Sequence, residues 1–270
     1  MITFNHVGNI GDILFSLYFC KDLITEIKQE KFNFHIQTNV QDPTMKMHHH
    51  PFGNVRMTED AAKFIKSLLE SQDFINEVSF SDDIPADALN LDTFRTLRIN
   101  FAAGDIRSWY YNLSKQHLPR EFWKPIINIK NINKTYSDKI LIASTQRYQN
   151  AFINYDNIKK YKDNLVFIGT EEEYNLFKEK VCELPYLKCS SLLEIAEYIA
   201  GAKGVIGNPS GLYSLAECMK VNRILISPDY FIYNNHLAPG PVNVHPQGGW
   251  NEIVSTTEKL MNSIEELQKL

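Results

Sequence analysis

The chain has 270 residues, 44% of them hydrophobic and 22% charged, with a formal net charge of −4 and a pI near 6.1. That is enough apolar material for one large packed domain or two ordinary ones. The mild acidity gives no electrostatic case for nucleic-acid binding, and no apolar run reaches the roughly 18 residues that a membrane span needs. The first residues lack the basic and apolar regions of a secretion signal. Four cysteines (Cys20, Cys182, Cys189, Cys218) show no C-x-x-C spacing and read as free thiols in a reducing compartment. A cytoplasmic chain is expected, with peripheral membrane contact left open.

The first predicted element is a short apolar strand, 2–4, which runs into Asn5-His6-Val7-Gly8-Asn9-Ile10-Gly11-Asp12. Gly8 and Gly11 let the backbone turn tightly and let a ligand approach it. The loop opens a helix predicted over 11–29, whose N-terminus presents free N–H groups. Asp12 stands in its first turn. A carboxylate there repels a phosphate and suits a general base, while an acid complementing the helix dipole is the plain structural alternative. No G-x-G-x-x-G is present, so the loop does not point to NAD.

A strand is predicted over 32–37, a loop over 39–56, a helix over 58–72 and a strand over 75–80. The stretch 82–92 is polar and turn-rich, and 105–116 reads as an aromatic-rich helix. In the loop, His48-His49-His50 read as a solvated or acceptor-side run, since adjacent histidines rarely converge on one metal. His6 beside the glycine loop suits acceptor binding or a structural hydrogen bond. Arg107, Trp109 and Tyr110 suit either a sugar-stacking surface or core packing.

An Asn/Lys-rich linker is expected near 127–137, dividing the chain into domains 1–130 and 131–270. Beyond it, strands over 139–143, 165–168, 204–206 and 223–226 alternate with helices over 171–182, 192–202 and 211–219, and a closing helix is expected over 255–270. Such alternation implies βαβ units and a parallel sheet, whose strand-to-helix loops share one edge. Three of those loops carry candidate ligands. Thr145 and Arg147 offer a hydroxyl and a forked cation to phosphate oxygens, against the alternative of a surface arginine. Gly169-Thr170-Glu171-Glu172-Glu173 contains a capping box, Thr170 with Glu173, and acids that suit ribose hydroxyls. Asn208-Pro209-Ser210-Gly211-Leu212 opens a helix whose N–H groups suit a pyrophosphate, against an ordinary turn capped by Ser210. Gly240-Pro241 and Gly248-Gly249-Trp250 form a further loop that could cover a nucleotide base.

The run from Gly8 to Leu17 resembles the opening G-x-x-G-D-(hydrophobic)₂-x-[ST]-L of the heptosyltransferase-like glycosyltransferases, family 9, of GT-B fold. Residues 191–212 resemble the donor-domain segment of the same family. The resemblance is carried by about a quarter of the chain. It implies an α/β architecture of two Rossmann-like domains with parallel sheets facing across a cleft. It implies an acceptor side in the first domain, where His6, Gly8, Asn9, Gly11, Arg107 and Trp109 are the candidates read from the residues, and a nucleotide-sugar donor side in the second. By the same carry-over Asp12 falls on the catalytic base, Ser210 and Gly211 on the diphosphate loop, Arg147 on a phosphate contact, and Glu171 or Glu172 on the ribose acid. The family implies inverting transfer to a glycan or other hydroxyl, without a metal or cofactor. The chain departs from the family at Pro209, where an aspartate is usual, and at Ser214, where a histidine is usual, and it is short. Two alternatives stay open: a non-catalytic nucleotide- or sugar-binding module of this fold, and a nucleotide-sugar epimerase.

Overall fold

The computed structural model describes residues 1–42, 53–99, 106–115, 117–226 and 250–270. The chain divides into two compact units, one covering Met1–Phe122 and the other starting at Trp123. His48 to His50 and the 240–249 loop lie outside the described residues, as do positions 105 and 116.

The first unit is built on a four-stranded parallel sheet in the order β3-β2-β1-β4. Its strands are β1 (Thr3–His6), β2 (Phe32–Gln37), β3 (Ile75–Ser81) and β4 (Leu89–Asn90). Helix α1 (Ile10–Glu26) follows β1, and α2 (Glu59–Glu70) precedes β3. Ile13 to Cys20 of α1 are all buried, so this helix is enclosed rather than laid on a surface. Helix α2 is amphipathic: Ala61, Ala62, Ile65, Leu68 and Leu69 are buried and Thr58 caps it through the Ala61 N–H at 3.2 Å. Phe4, Phe19, Phe32 and Phe34 fill the space around β1 and β2, each wholly buried. Each such ring contributes about 1.5–3 kcal/mol of burial free energy.

Two expectations are corrected here. The turn-rich stretch 82–92 contains β4, a two-residue strand paired to β1, and runs into a 3₁₀ helix over Leu91–Thr96. The helix expected over 105–116 is only one turn, α3 (Ile106–Tyr110), followed by a 3₁₀ turn at Tyr111–Leu113.

The second unit holds a six-stranded parallel sheet in the order β10-β9-β8-β5-β6-β7. Its strands are β5 (Ile140–Ala143), β6 (Leu165–Ile168), β7 (Tyr186–Leu187), β8 (Gly204–Gly207), β9 (Arg223–Ile226) and β10 (Asn251–Val254). The helices are α4 (Glu171–Lys180), α5 (Leu192–Gly201), α6 (Gly211–Met219) and α7 (Thr257–Lys269). Strands β5, β6, β8 and β9 are buried at every position, as a parallel sheet covered on both faces requires. The sequence reading lacked β7, β10 and the 3₁₀ segment Tyr155–Asn164.

The stretch 127–137, expected as a linker, is fastened to the second unit. Ile126 and Ile127 N–H groups donate to the Cys218 carbonyl at 2.9 and 3.2 Å, and Asn133 N–H donates to the Glu197 carbonyl at 3.0 Å. The backbone passes so close to α5 that a Cβ on Gly201 would stand 1.9 Å from the Asn133 carbonyl oxygen. The four cysteines are not in disulfides, and Cys20 and Cys218 are buried. Among the described residues, no helix is long and apolar enough to cross a membrane.

Candidate functional site

Each parallel sheet has a point where the strand order reverses, and loops diverge there to leave room for a ligand. In the first sheet it falls between β1 and β4, and in the second between β5 and β8. The Gly8 loop lies at the first point and the Thr145 and Ser210 loops at the second, while the Gly169–Glu173 loop follows β6, one strand further out.

At the first, β1 ends at His6 and the chain turns through Val7, Gly8 and Asn9 into α1. Gly8 has φ +96°, and a Cβ there would lie 3.1 Å from Met57 Cβ and Cε and 3.2 Å from the Arg56 carbonyl oxygen. Only glycine meets both the conformation and the space. Asn9 is the α1 N-cap by backbone, with no side-chain cap bond, and its Oδ1 is buried without a hydrogen-bond partner among the described residues. Asp12, in the first turn of α1, has a side chain 15% exposed.

The Asp12 carboxylate is held from the 3₁₀ helix that follows β4. Arg95 Nη2 donates to Asp12 Oδ2 at 2.7 Å, and Arg95 Nε donates to Asp92 Oδ1 at 2.9 Å. The other Asp92 oxygen accepts the Val7 N–H at 2.8 Å, joining the loop after β4 to the loop after β1. Burial works against the Arg95 charge, but Asp12, Tyr110 and Asp92 outweigh it, so the guanidinium stays protonated above the ordinary arginine value. Burial alone would raise the Asp92 carboxyl; the charge of Arg95 and the hydrogen bonds donated by Arg95 and the Val7 N–H hold it below the usual carboxylate range.

His6 is fully buried. Gly8 N–H points at His6 Nδ1 at 3.0 Å, so that nitrogen is the acceptor and Nε2 carries the proton. Nε2 donates to the Tyr110 hydroxyl at 2.8 Å, which donates to the Asp12 backbone carbonyl at 3.1 Å. One tautomer thus satisfies every bond. The 3.3 Å approach of Nδ1 to Asp92 Oδ2 is not a salt bridge, because the ring is neutral: burial holds its basicity below the ordinary histidine value. His6 supports the loop from behind.

Arg107 and Trp109 do not join this group. Arg107 is 1% exposed, its guanidinium 5.0–5.7 Å from the ring centroids of Phe15, Tyr18 and Phe122. Trp109 packs on Phe94 with centroids 6.0 Å apart.

At the second reversal point, α6 begins with Ser210. Its Oγ accepts the Tyr213 N–H at 3.3 Å, and the Ser214 hydroxyl donates back to the Ser210 carbonyl at 2.9 Å. The N–H groups of Gly211 and Leu212 at the head of the helix have no intrahelical carbonyl to meet, which is the geometry that favours an anion. The far end of α6 is fixed by a buried ion cluster, Glu217 with Arg223 (Nε to Oε2 2.6 Å) and Lys220.

Asn208, read as a donor ligand, is 1% exposed and turned toward the loop after β5. Its Oδ1 accepts the Thr145 N–H at 3.0 Å, while Nδ2 reaches the Thr145 carbonyl at 3.0 Å and the Arg147 carbonyl at 2.5 Å. This continues the β5–β8 ladder one position beyond its last pair, Ala143 and Gly207. Thr145 Oγ1 is likewise committed, donating to the Arg147 carbonyl at 3.0 Å. The Arg147 guanidinium lies 5.6 Å over the Tyr148 ring, and its buried Nε has no hydrogen-bond partner among the described residues.

The Thr170–Glu173 capping box forms in both directions, 2.9 and 3.2 Å. Burial raises the Glu173 carboxyl against the effect of those bonds and of the Arg147 charge. Glu171 is exposed beside Lys188 at 3.6 Å, and Glu172 accepts from Gln146 Nε2 at 3.3 Å. Gly169 turns with φ +151° ahead of the box. Among the described residues, no group of three or more His, Cys, Asp or Glu side chains could hold a metal ion.

The residues that sequence reasoning missed are Asp92 and Arg95. Their i, i+3 spacing is visible in the sequence, but nothing there shows that a two-residue strand carries them to β1.

No protein-family model matches the chain, and no curated protein does. Solved structures do. The chain is similar to a glycosyl transferase family 9 protein from Veillonella parvula (10% identity, 99% of this chain and 97% of that one, TM-score 0.61). It is similar to the Escherichia coli heptosyltransferase WaaC determined with ADP (13% identity, 99% and 100%, TM-score 0.56). It is also similar to the dodecameric iron-containing glycosyltransferase TibC from enterotoxigenic E. coli (13% identity, 99% and 76%, TM-score 0.55). At these identities the likeness establishes the fold alone, a parallel α/β sheet in each unit, shared with these glycosyltransferases.

Proposed function

We propose that the chain is a glycosyltransferase that moves a sugar from a nucleotide-sugar to an acceptor hydroxyl with inversion, and that it belongs to the heptosyltransferase-like family. The observation that carries this reading is the carboxylate of Asp12, held by Arg95 at the reversal point of the first sheet, on a fold shared with sugar transferases. A base is what an acceptor hydroxyl requires as it attacks an anomeric carbon. In this reading the first unit supplies the base and the second the donor site. The head of α6 (Ser210, Gly211, Leu212) and Arg147 receive the diphosphate and stabilise the charge that develops on it, so no divalent metal or cofactor is needed. Glu171 or Glu172, both exposed at the same sheet edge, suit the ribose hydroxyls. ADP is the first nucleotide to try, because WaaC was determined with it.

The test is a thermal-shift panel of nucleoside diphosphates and nucleotide-sugars, with and without EDTA, followed by transfer assays on the wild type and Asp12→Ala. A ligand at 100 times its Kd stabilises by about 2.7 kcal/mol, a readable shift. An EDTA-insensitive shift, with transfer lost and nucleotide binding kept in Asp12→Ala, supports the proposal. Near-normal turnover in that variant removes Asp12 from the role. The second reading, a binding module without turnover, is favoured by Ser214: its buried hydroxyl is tied to the Ser210 carbonyl, where the family usually has a histidine. Nucleotide binding without transfer to any acceptor would select it.

A further inference from the structure

Arg95 holds two carboxylates at once, and the manner in which it does so bears on how Asp12 works. Its side chain is 31% exposed, those of Asp12 and Asp92 only 15% and 10%. The planar fork uses Nε for Asp92 and Nη2 for Asp12, an arrangement that a lysine ammonium on a flexible stem does not reproduce. Asp92 is in turn fixed by the Val7 N–H, and its own N–H donates to Asn90 Oδ1 at 3.1 Å. The guanidinium also lies 4.7 Å over the Phe94 ring. Arg95 is therefore anchored independently of Asp12.

We infer that Arg95 is the positioning residue for the proton-accepting carboxylate, anchored by Asp92; this rests on the transferase reading above. Arg95 binds Oδ2 of Asp12, whereas Oδ1 accepts no hydrogen bond among the described residues. The oxygen that takes the proton is therefore Oδ1. In the step, the acceptor O–H proton passes to Oδ1 and the hydroxyl electron pair forms the bond to the anomeric carbon. The bond from that carbon to the diphosphate oxygen breaks, and its electrons leave with the diphosphate. Before the step, Asp12, Arg95 and Asp92 together carry one net negative charge. After it, a neutral Asp12 faces a compensated Arg95–Asp92 pair, so the base loses its charge without stranding another. Arg95 itself stays protonated throughout, paired with Asp92 once Asp12 has lost its charge.

The experiment measures nucleoside diphosphate release from ADP-, GDP- and UDP-sugars with methyl glycosides as acceptors. It compares the wild type with Arg95→Ala, Arg95→Lys and Asp12→Ala, and determines ADP, GDP and UDP affinity for each by calorimetry. A mispositioned catalytic group costs on the order of 100-fold in rate. The expected result is a kcat lower by about that factor in Arg95→Ala, a smaller loss in Arg95→Lys, and unchanged nucleotide affinity in both. Millimolar guanidinium restores part of the rate to Arg95→Ala and none to Asp12→Ala. Arg95→Lys keeps the charge and serves if Arg95→Ala does not fold. Arg95→Ala or Arg95→Lys turning over within threefold of a wild type that needs Asp12 overturns the positioning role alone. A wild type that releases no diphosphate from any donor, or that keeps its rate in Asp12→Ala, overturns the transferase reading and this inference with it.

Discussion

Asn208 offers a sharp test of how the second site is assembled. Replacing it with alanine removes the contacts to Thr145 N–H, the Thr145 carbonyl and the Arg147 carbonyl, all at 3.0 Å or less. Each neutral hydrogen bond is worth about 1 kcal/mol net, and a buried N–H left unpaired costs a further 1–3 kcal/mol or so. Thr145 is 8% exposed, so its orphaned N–H gains little from water. The expected loss is about 4–6 kcal/mol for the second unit. Native-state hydrogen exchange on the amides of β5 and β8 reads this directly and avoids assuming that the two units unfold together. ADP affinity measured on the same variant should fall as well, because the carbonyl anchor of Arg147 is lost while the head of α6 keeps its own Ser210 cap. A stability change below 1 kcal/mol would refute the reasoning and show that the loop after β5 is held by other contacts. Asn208→Asp should be worse than a simple deletion of the donor, since its carboxylate would face the Thr145 and Arg147 carbonyl oxygens.

Two further outcomes follow from the first unit. Gly8→Ala forces a side chain into φ +96° with contacts of 3.1 Å to Met57. A loss of about 1–3 kcal/mol is expected, with transfer falling as the first turn of α1 shifts, and an unchanged melting temperature would show that the loop relaxes freely. The second outcome concerns acid. The His6 basicity is lowered from its ordinary value of 6.5 by burial, against the pull of Asp92 and Asp12 and together with that of Arg95 and Arg56. Protonation would also set a second proton against the Gly8 N–H. The unfolded chain therefore takes up the proton first. The contribution of His6 is complete above pH 6.5 and drains away as pH falls below it toward the lowered folded value. His35, lowered by burial too, acts in the same direction. Denaturant midpoints measured from pH 7.5 to 5 should decline, and less steeply in His6→Gln; a flat or rising profile would contradict the neutral tautomer.

Much of the fold was legible because local signals agreed. Strands 32–37, 165–168 and 223–226 were readable as apolar runs, and helix 211–219 from its Ser210 cap and apolar spacing. The elements that escaped were those whose existence depends on a partner: β4, β7 and β10 are two to four residues long and become strands only by pairing with β1, β6 and β9. The candidate site followed the same division. Gly8, Asp12 and Ser210 announced themselves through backbone demands that glycine, a first-turn acid and a cap each satisfy locally. Arg95 and Asp92 did not, since their use depends on where β4 lies.

The sequence by itself determined the alternation of strands and helices, the parallel sheets that this implies, and the loops at their edges. These rest on periodicity and turn chemistry, which act over a few residues. Tertiary structure alone decided which polar side chains those loops spend on themselves. Asn208 and Thr145 fasten β5 to β8, His6 and Tyr110 brace the glycine loop, and Arg107 is enclosed by rings. It also decided that Asp12 is gripped by a cation 83 positions away in the chain. Burial without a hydrogen bond is costly, and the partner that removes the cost is chosen by proximity in space, which a linear pattern does not record.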